Sequence, residues 1–213
     1  MNIQRRKGIL TVVSGFSGSG KGTVMKLLLS KHEEYALSIS ATTRSPRPGE
    51  EHGREYFFHT REEFKSFIEN DQLLEYAEYV GNFYGTPLPY VKSQLKEGRD
   101  VILEIEMQGA LKVKRRIPDA VLVFITPPSM EELERRLIGR NTETMEVIKG
   151  RLAQAIAEAR AMHDYDYILV NENDRAEECA ERLHGIIQSE HFRAFRSASL
   201  IDKMTRATTK GES

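Results

Sequence analysis

Short runs of β-branched and aliphatic residues alternate along the chain with longer stretches whose apolar positions recur at helical spacing. Ile9 to Val13, Leu37 to Ser40, Val101 to Glu106, Val121 to Ile125 and Tyr167 to Val170 read as strands, with amphipathic segments between most of them. Apolar strands joined by helices are the pattern of a parallel sheet covered on both faces. Capping boxes mark two helix starts: Thr60 with Glu63 ahead of Phe64, Phe67 and Ile68, and Ser129 with Glu132 after Pro127 and Pro128. Cys179 keeps helical register with Ala176, Leu183 and Ile187 and reads as a small core residue.

The alternation breaks twice. From Ala41 to about Thr86 a Thr/Arg/Pro/Gly loop is followed by REYFFH, one helix and an aromatic-rich LLEYAEYVGNFYGT, which reads as an inserted subdomain. Between Arg135 and Arg151, arginines and hydroxyl residues interrupt the helical pattern as RRLIGRNTETMEVIKGR, which suits a mobile, charged lid. The tail beyond Arg193 ends in TRATTKGES, polar and uncapped, and is expected to fray.

Composition narrows the function classes. The 213 residues carry 31 basic and 32 acidic side chains, a net charge of −1, against a generic binder of nucleic acid or anionic membranes. The longest apolar runs, such as Val121 to Ile125, are far short of the ~20 residues that span a bilayer, and no secretory leader is evident after Met1, so a cytosolic location is expected. A single cysteine rules out an internal disulfide and a cysteine-cluster zinc site, and the six histidines show neither HExxH nor HxxEH spacing. No catalytic metal held by protein alone is expected; surface or capping roles are the default for the histidines.

The strand GILTVVS runs into Gly15, Phe16, Ser17, Gly18, Ser19, Gly20, Lys21, Gly22 and Thr23, and a helical run follows. Strand, glycine loop and helix are the context a phosphate-binding loop requires. The glycines let backbone N–H groups converge on phosphate oxygens, the helix N-terminus adds partial positive charge, and Lys21 adds a full one. Gly22 stands where Ser or Thr commonly follows the lysine, so direct coordination of Mg²⁺ by the loop is not expected. The loop alone leaves ATPase, GTPase and kinase open. A switch GTPase would show a base-reading NKxD, which is absent from the sequence, and motor or transport ATPases tend to be longer, which favours a small kinase.

The segment from Ser40 to Gly49 reads SATTRSPRPG, with Arg44 and Arg47 on a backbone stiffened by Pro46 and Pro48. Two guanidiniums there suit a dianion. Glu104 and Glu106 end VILEIE, at the strand terminus where open α/β sheets place ligands. Guanine presents two adjacent donors, N1–H and the 2-amino group, so a carboxylate can accept from both, whereas adenine would turn a lone pair toward it. Glu75 is the better candidate for that carboxylate. Tyr56 and Tyr84 read equally well as core aromatics of the insert.

On these motifs the chain resembles the guanylate kinase family from about Gly8 to Ile187: GFSGSGKGT, SATTRSPRPGEEHGREYFF, LLEYAEYVGNFYGT, ILEIEMQGA, RRLIGRNTET and DYILVNEN occur in the family's order and spacing. The resemblance implies an α/β fold with a parallel five-stranded P-loop kinase core (residues 1–40, 87–126 and 158–192), a mixed α+β GMP-binding insert (41–86), a helical lid (127–157) and a C-terminal tail (193–213). It implies that Ser40, Arg44, Arg47 and Tyr56 bind the GMP phosphate, with Tyr84 also reaching it, and that Glu75, Thr86 and Glu106 read guanine. It brings Arg140 and Arg151, with Arg136, from the lid onto the transferring phosphoryl group, and places Asn171 at the adenine end of ATP. Glu106 stands where the family often has Asp, Thr86 where Ser is frequent, Asn141 where Gly usually follows the lid arginine, and Phe16 where Pro is common.

The implied reaction is ATP + GMP to ADP + GDP in purine nucleotide metabolism, with dGMP a further acceptor. Mg²⁺ would be held by nucleotide phosphates and water. The acceptor oxygen is already anionic at neutral pH, so positioning and charge from Lys21, Arg44, Arg140 and Arg151 suffice and no general base is needed. ATP and GMP are then the partners, with no nucleic acid, membrane or obligate protein partner implied. Two readings compete: a kinase for another nucleotide such as AMP, against which Glu75 and the arginine loop speak, and a non-catalytic scaffold module of the same fold, against which the intact Lys21 and lid arginines speak.

Overall fold

The computed structural model describes residues 7–139 and 144–208. The chain begins with β1 (Leu10–Gly15), α1 (Lys21–Lys31), β2 (Ala36–Leu37), β3 (Ala41–Thr42), β4 (Phe57–Phe58) and α2 (Arg61–Glu69). It continues through β5 (Leu73–Tyr79), β6 (Asn82–Pro87), α3 (Leu88–Lys96), β7 (Val101–Glu104), α4 (Met107–Arg116) and β8 (Val121–Thr126). The last elements are α5 (Met130–Gly139), α6 (Met145–Ala159), β9 (Tyr167–Val170), α7 (Ala176–Glu190) and α8 (Ala198–Thr208).

A five-stranded sheet runs β2-β7-β1-β8-β9, with every pairing parallel. Alternation along its strands sorts the core into two layers. Leu10, Val12, Val101, Leu103, Leu122 and Phe124 pack with α3 to α6, while Val13, Ile102, Val121, Val123 and Leu169 pack with α1 and α7. Cys179 lies in the second layer, buried, with burial pushing its thiol up to about 11. It is core, as its spacing predicts.

The second sheet runs β4-β3-β6-β5, mixed in direction, over a small core of Ala41, Phe64 and Leu73. The Thr60–Glu63 capping box forms in full at the start of α2. Val80 and Gly81 turn the β5–β6 hairpin with φ of 46° and 73°, the positive values a two-residue hairpin turn demands.

Several expectations change. The strand expected at Leu37 to Ser40 is Ala36–Leu37, because the chain leaves the first sheet after Ser38 N–H reaches Ile102 O and enters the second at Ala41. The strand expected to end at Glu106 ends at Glu104; Glu106 is the extended N-cap residue of α4. The second capping box is half made: Ser129 Oγ accepts from Glu132 N–H, but the Glu132 carboxylate turns to Arg135 and Arg136. The tail beyond Arg193 carries α8, with Leu200, Ile201 and Met204 exposed, and its last residues, 209–213, lie outside the described residues. Among the described residues no helix is long and apolar enough to cross a membrane.

Candidate functional site

Gly15 closes β1, and the loop turns back at Phe16, whose carbonyl accepts from Ser19 N–H at 3.0 Å. Phe16, where proline is common in the family, is buried edge-on against Phe124 with centroids 4.8 Å apart, which anchors the loop to the core. Gly18 and Gly20 have φ of 96° and 86°, the left-handed region that suits glycine. Gly20 caps α1, whose first residues are Lys21, Gly22 and Thr23. Gly22 and Thr23 are exposed, and a Cβ on Gly22 would meet nothing within 4 Å.

Asn171, buried just past β9, donates from Nδ2 to Ser19 O at 2.9 Å. Arg136 donates from Nη1 to the same oxygen at 3.1 Å, from Nη2 to Asn171 O and Asn173 Oδ1, and from Nε to Glu132. Arg135 and then Arg136 hold the Glu132 carboxyl down to about 2. The carbonyl bonded by both side chains belongs to the residue before Gly20, so they fix the loop where its N–H groups turn into α1. Arg151, on α6, donates to Ser17 Oγ on the loop's exposed shoulder. Arg140 lies outside the described residues.

The insert supplies the second half of the site. The β5–β6 pairing shifts register between Leu73 and Tyr76, a bulge within β5 that re-aims side chains. Leu73 packs in the insert core, Leu74 joins the main core, and Glu75 is left 9% exposed. Thr86 Oγ1 donates to Glu75 Oε1 at 2.8 Å. Burial pushes the Glu75 carboxyl up, against the opposing pull of Thr86 and the Lys112 charge. Gly109 in the first turns of α4 leaves room for the other oxygen, since a Cβ there would stand 3.1 Å from Glu75 Oε2.

Arg44 lies with its Cζ 5.3 Å from the Tyr56 ring centroid, and Tyr56 meets Tyr84 edge-on at 6.0 Å. Both tyrosines are half-buried rather than core. Glu50 takes Arg44 Nη2 at 3.0 and 2.9 Å and also accepts from Arg47 N–H at 2.8 Å. That backbone donor, then Arg44, holds the Glu50 carboxyl below its usual range. Ser40 ties this loop to β4 through Phe57 N–H at 2.9 Å. The Arg47 side chain is exposed, and so is Glu106, which makes no side-chain cap bond.

Thus the fold joins Glu75 to Thr86, Arg44 to Tyr56 and Tyr84, and Asn171 to Arg136 and the loop, while Glu106 enters none of these groups. Sequence reasoning missed Glu50 and Gly109, and gave Glu132 a capping role rather than that of partner to Arg135 and Arg136. PRPGE carries a turn signal that could have pointed to Glu50, a carboxylate three residues after Arg47; Gly109 gives no sign in sequence beyond an unfavourable residue inside a helix.

The guanylate kinase family model matches residues 7–190. A guanylate kinase of Lactococcus lactis is 54% identical over 192 residues, covering 90% of this chain and 93% of that protein. One from Streptococcus thermophilus is 53% identical over 191 residues, covering 89% and 90%. Among solved structures, guanylate kinase from Anaplasma phagocytophilum superposes with a TM-score of 0.69 at 35% identity, covering 90% of each chain. A parallel sheet led by a phosphate loop, a mixed-sheet insert and these matches along nearly the whole length agree: the chain belongs to the guanylate kinase family.

Proposed function

We propose that the chain transfers the γ-phosphoryl group of ATP to GMP, giving ADP and GDP, with dGMP a further acceptor. The observation that carries this is the Glu75–Thr86 pair, a buried carboxylate with one oxygen bonded to a hydroxyl and the other toward α4. Guanine N1–H and its 2-amino group are the donors that such a carboxylate accepts, whereas adenine N1 would meet it lone pair to lone pair. A site built around a hydrogen bond rejects a ligand lacking it by on the order of 10⁴-fold.

The division of labour follows the fold. Residues 41–86 hold GMP, residues 127–157 form the lid, and the loop from Gly15 to Thr23 cradles the ATP phosphates. Arg44, with Ser40, Arg47, Tyr56 and Tyr84, neutralises the GMP phosphate, and Glu50 keeps the Arg44 fork oriented for it. Asn171 and Arg136 keep the loop's turn in place at the adenine end. Lys21 and Arg151, with Arg140 from the lid, meet the charge that develops on the transferring group. An oxygen of the GMP phosphate attacks the γ-phosphorus in line, and no side chain has to remove a proton.

The residues fit a Mg²⁺ ion carried on the nucleotide. The loop offers an ammonium, backbone amides and hydroxyls but no carboxylate, and Gly22 has no side chain where a metal-binding hydroxyl would stand. Thr23, further round the first turn, bonds phosphate instead. When bound, Mg²⁺ supplies neutralisation of the β- and γ-phosphate charge. The setting is cytoplasmic and the partners are the two nucleotides.

The test is separation of products after incubation with ATP, Mg²⁺ and GMP. ADP and GDP formed one for one support the reading; ADP release that does not depend on GMP, or phosphate released without GDP, overturns it.

A further inference from the structure

At the far end of α1 from the phosphate loop, His32 follows the helix as its C-cap and meets His184 of α7. Their rings stack with centroids 3.8 Å apart and planes within 7°. Glu34 Oε1 lies 3.6 Å from His32 Nδ1, and Glu181 Oε2 lies 3.8 Å from His32 Nε2. The Tyr35 hydroxyl sits 2.8 Å from His184 Nδ1 and accepts from Gln188 Nε2 at 3.2 Å. One ligand atom from each of His32, Glu34 and His184 falls within 4.8 Å of the others. His32 Nε2 is buried without a hydrogen-bond partner. Phosphoryl transfer uses none of these groups: the eleven residues of α1 put them about 16 Å along the helix from Lys21.

We propose that His32, Glu34 and His184 bind one divalent transition-metal ion of the Zn²⁺ class, which ties the end of α1 to α7. Two imidazoles and one carboxylate are borderline N and O donors that suit such a metal, whereas Mg²⁺ takes oxygen ligands. Around a tetrahedral ion with bonds of about 2.0–2.1 Å, neighbouring donors stand about 3.3 Å apart, so the pair at 3.6 Å has little to close.

The surroundings supply the outer partners that metal-bound histidines need. With Nδ1–H of His184 donated to the Tyr35 oxygen, Nε2 is left as the ligand atom. With Nδ1 of His32 on the metal, its buried Nε2–H faces Glu181. Charge also favours a cation, because Glu34 and Glu181 both lie against His32, while Lys31 pairs with Glu181 and the neighbouring Glu177. A metal lies in the plane of each imidazole it binds, so binding turns the rings out of their stack. Glu34, on the exposed loop after α1, can follow that movement.

The experiment uses the full chain without a polyhistidine tag, dialysed against chelator and free of nucleotide. Zn²⁺ titrated by calorimetry is expected to bind at one ion per chain. At Zn²⁺ about 100-fold above the dissociation constant the melting temperature should rise by about 5–10 °C, and Mg²⁺ should leave it unmoved. His184→Gln and Glu34→Gln should abolish the stoichiometric binding, Tyr35→Phe should weaken it by about 10- to 100-fold, and His59→Gln should leave it unchanged. Glu34 is exposed, so its variant keeps the test valid if a histidine variant fails to fold. No Zn²⁺ binding, an equal response to Mg²⁺, or full binding in Glu34→Gln and His184→Gln overturns the proposal.

Discussion

Thr86 Oγ1 on β6 bonds Glu75 Oε1 on β5 across the hairpin at 2.8 Å, at the point where the β5 bulge turns the carboxylate inward. The bond satisfies one oxygen of a group whose charge is costly to bury. The other oxygen is the part left for a base.

That arrangement has a cost in the ligand-free protein. Burial raises the Glu75 pKa, so the folded chain holds this proton more tightly than the unfolded one. The stability Glu75 contributes is therefore full below the unfolded value, about 4.3, and is lost as pH rises through the folded value. Glu75→Gln keeps an oxygen for Thr86 and removes the charge. Thermal melts across pH should show the ligand-free variant above the parent at pH about 7, with the gap closing below pH about 4. A variant melting lower at neutral pH would contradict the assigned cause.

Gly20 and Gly22 should answer substitution in opposite ways. Gly22 is helical and open to solvent, so Gly22→Ala should raise the ligand-free melting temperature by about 1–4 °C. Gly20→Ala places a side chain at φ 86° against Asn171 Nδ2 and should lower both stability and ATP affinity. Calorimetric melting and ATP titration of both variants check this; similar effects from the two would contradict the loop geometry.

Val80 sits at φ 46° and is 80% exposed. A β-branched residue is poorly suited to that conformation, and asparagine tolerates it. Val80→Asn should stabilise the chain by about 1 kcal/mol, a melting shift of about 2–4 °C, with kcat unchanged.

Arg44 and Arg151 should separate in kinetics. Arg44→Ala should weaken direct GMP binding by about 10- to 100-fold, the range of one or two charge-assisted bonds. Arg151→Ala should depress kcat with little change in GMP affinity. Equal losses of GMP binding in both would contradict the division of roles.

What the sequence made legible is what local chemistry and periodicity encode. The phosphate loop needs glycines and a lysine in consecutive positions, and the buried strands need apolar residues in unbroken runs, so both are written in short segments. Glu50 on Arg44 and Gly109 beside Glu75 depend on how loops and helices meet in space. The Val80–Gly81 turn was hidden because its first residue is one that such turns disfavour, and Glu132 left its capping box half made because two arginines on the next turn compete for the carboxylate. The strand expected to run to Glu106 stops two residues earlier, at Glu104, because the chain turns there toward α4 with Glu106 as its N-cap.

Guanine reading by Glu75 is tested most directly by kcat/KM for GMP and AMP, measured in one coupled ADP-release assay on the parent and Glu75→Gln. The parent should prefer GMP by on the order of 10⁴-fold, and the variant should lose about 10- to 1,000-fold of its GMP efficiency without gaining comparably on AMP. A parent that uses AMP within about tenfold of GMP, or a variant that uses GMP as the parent does, would contradict the account.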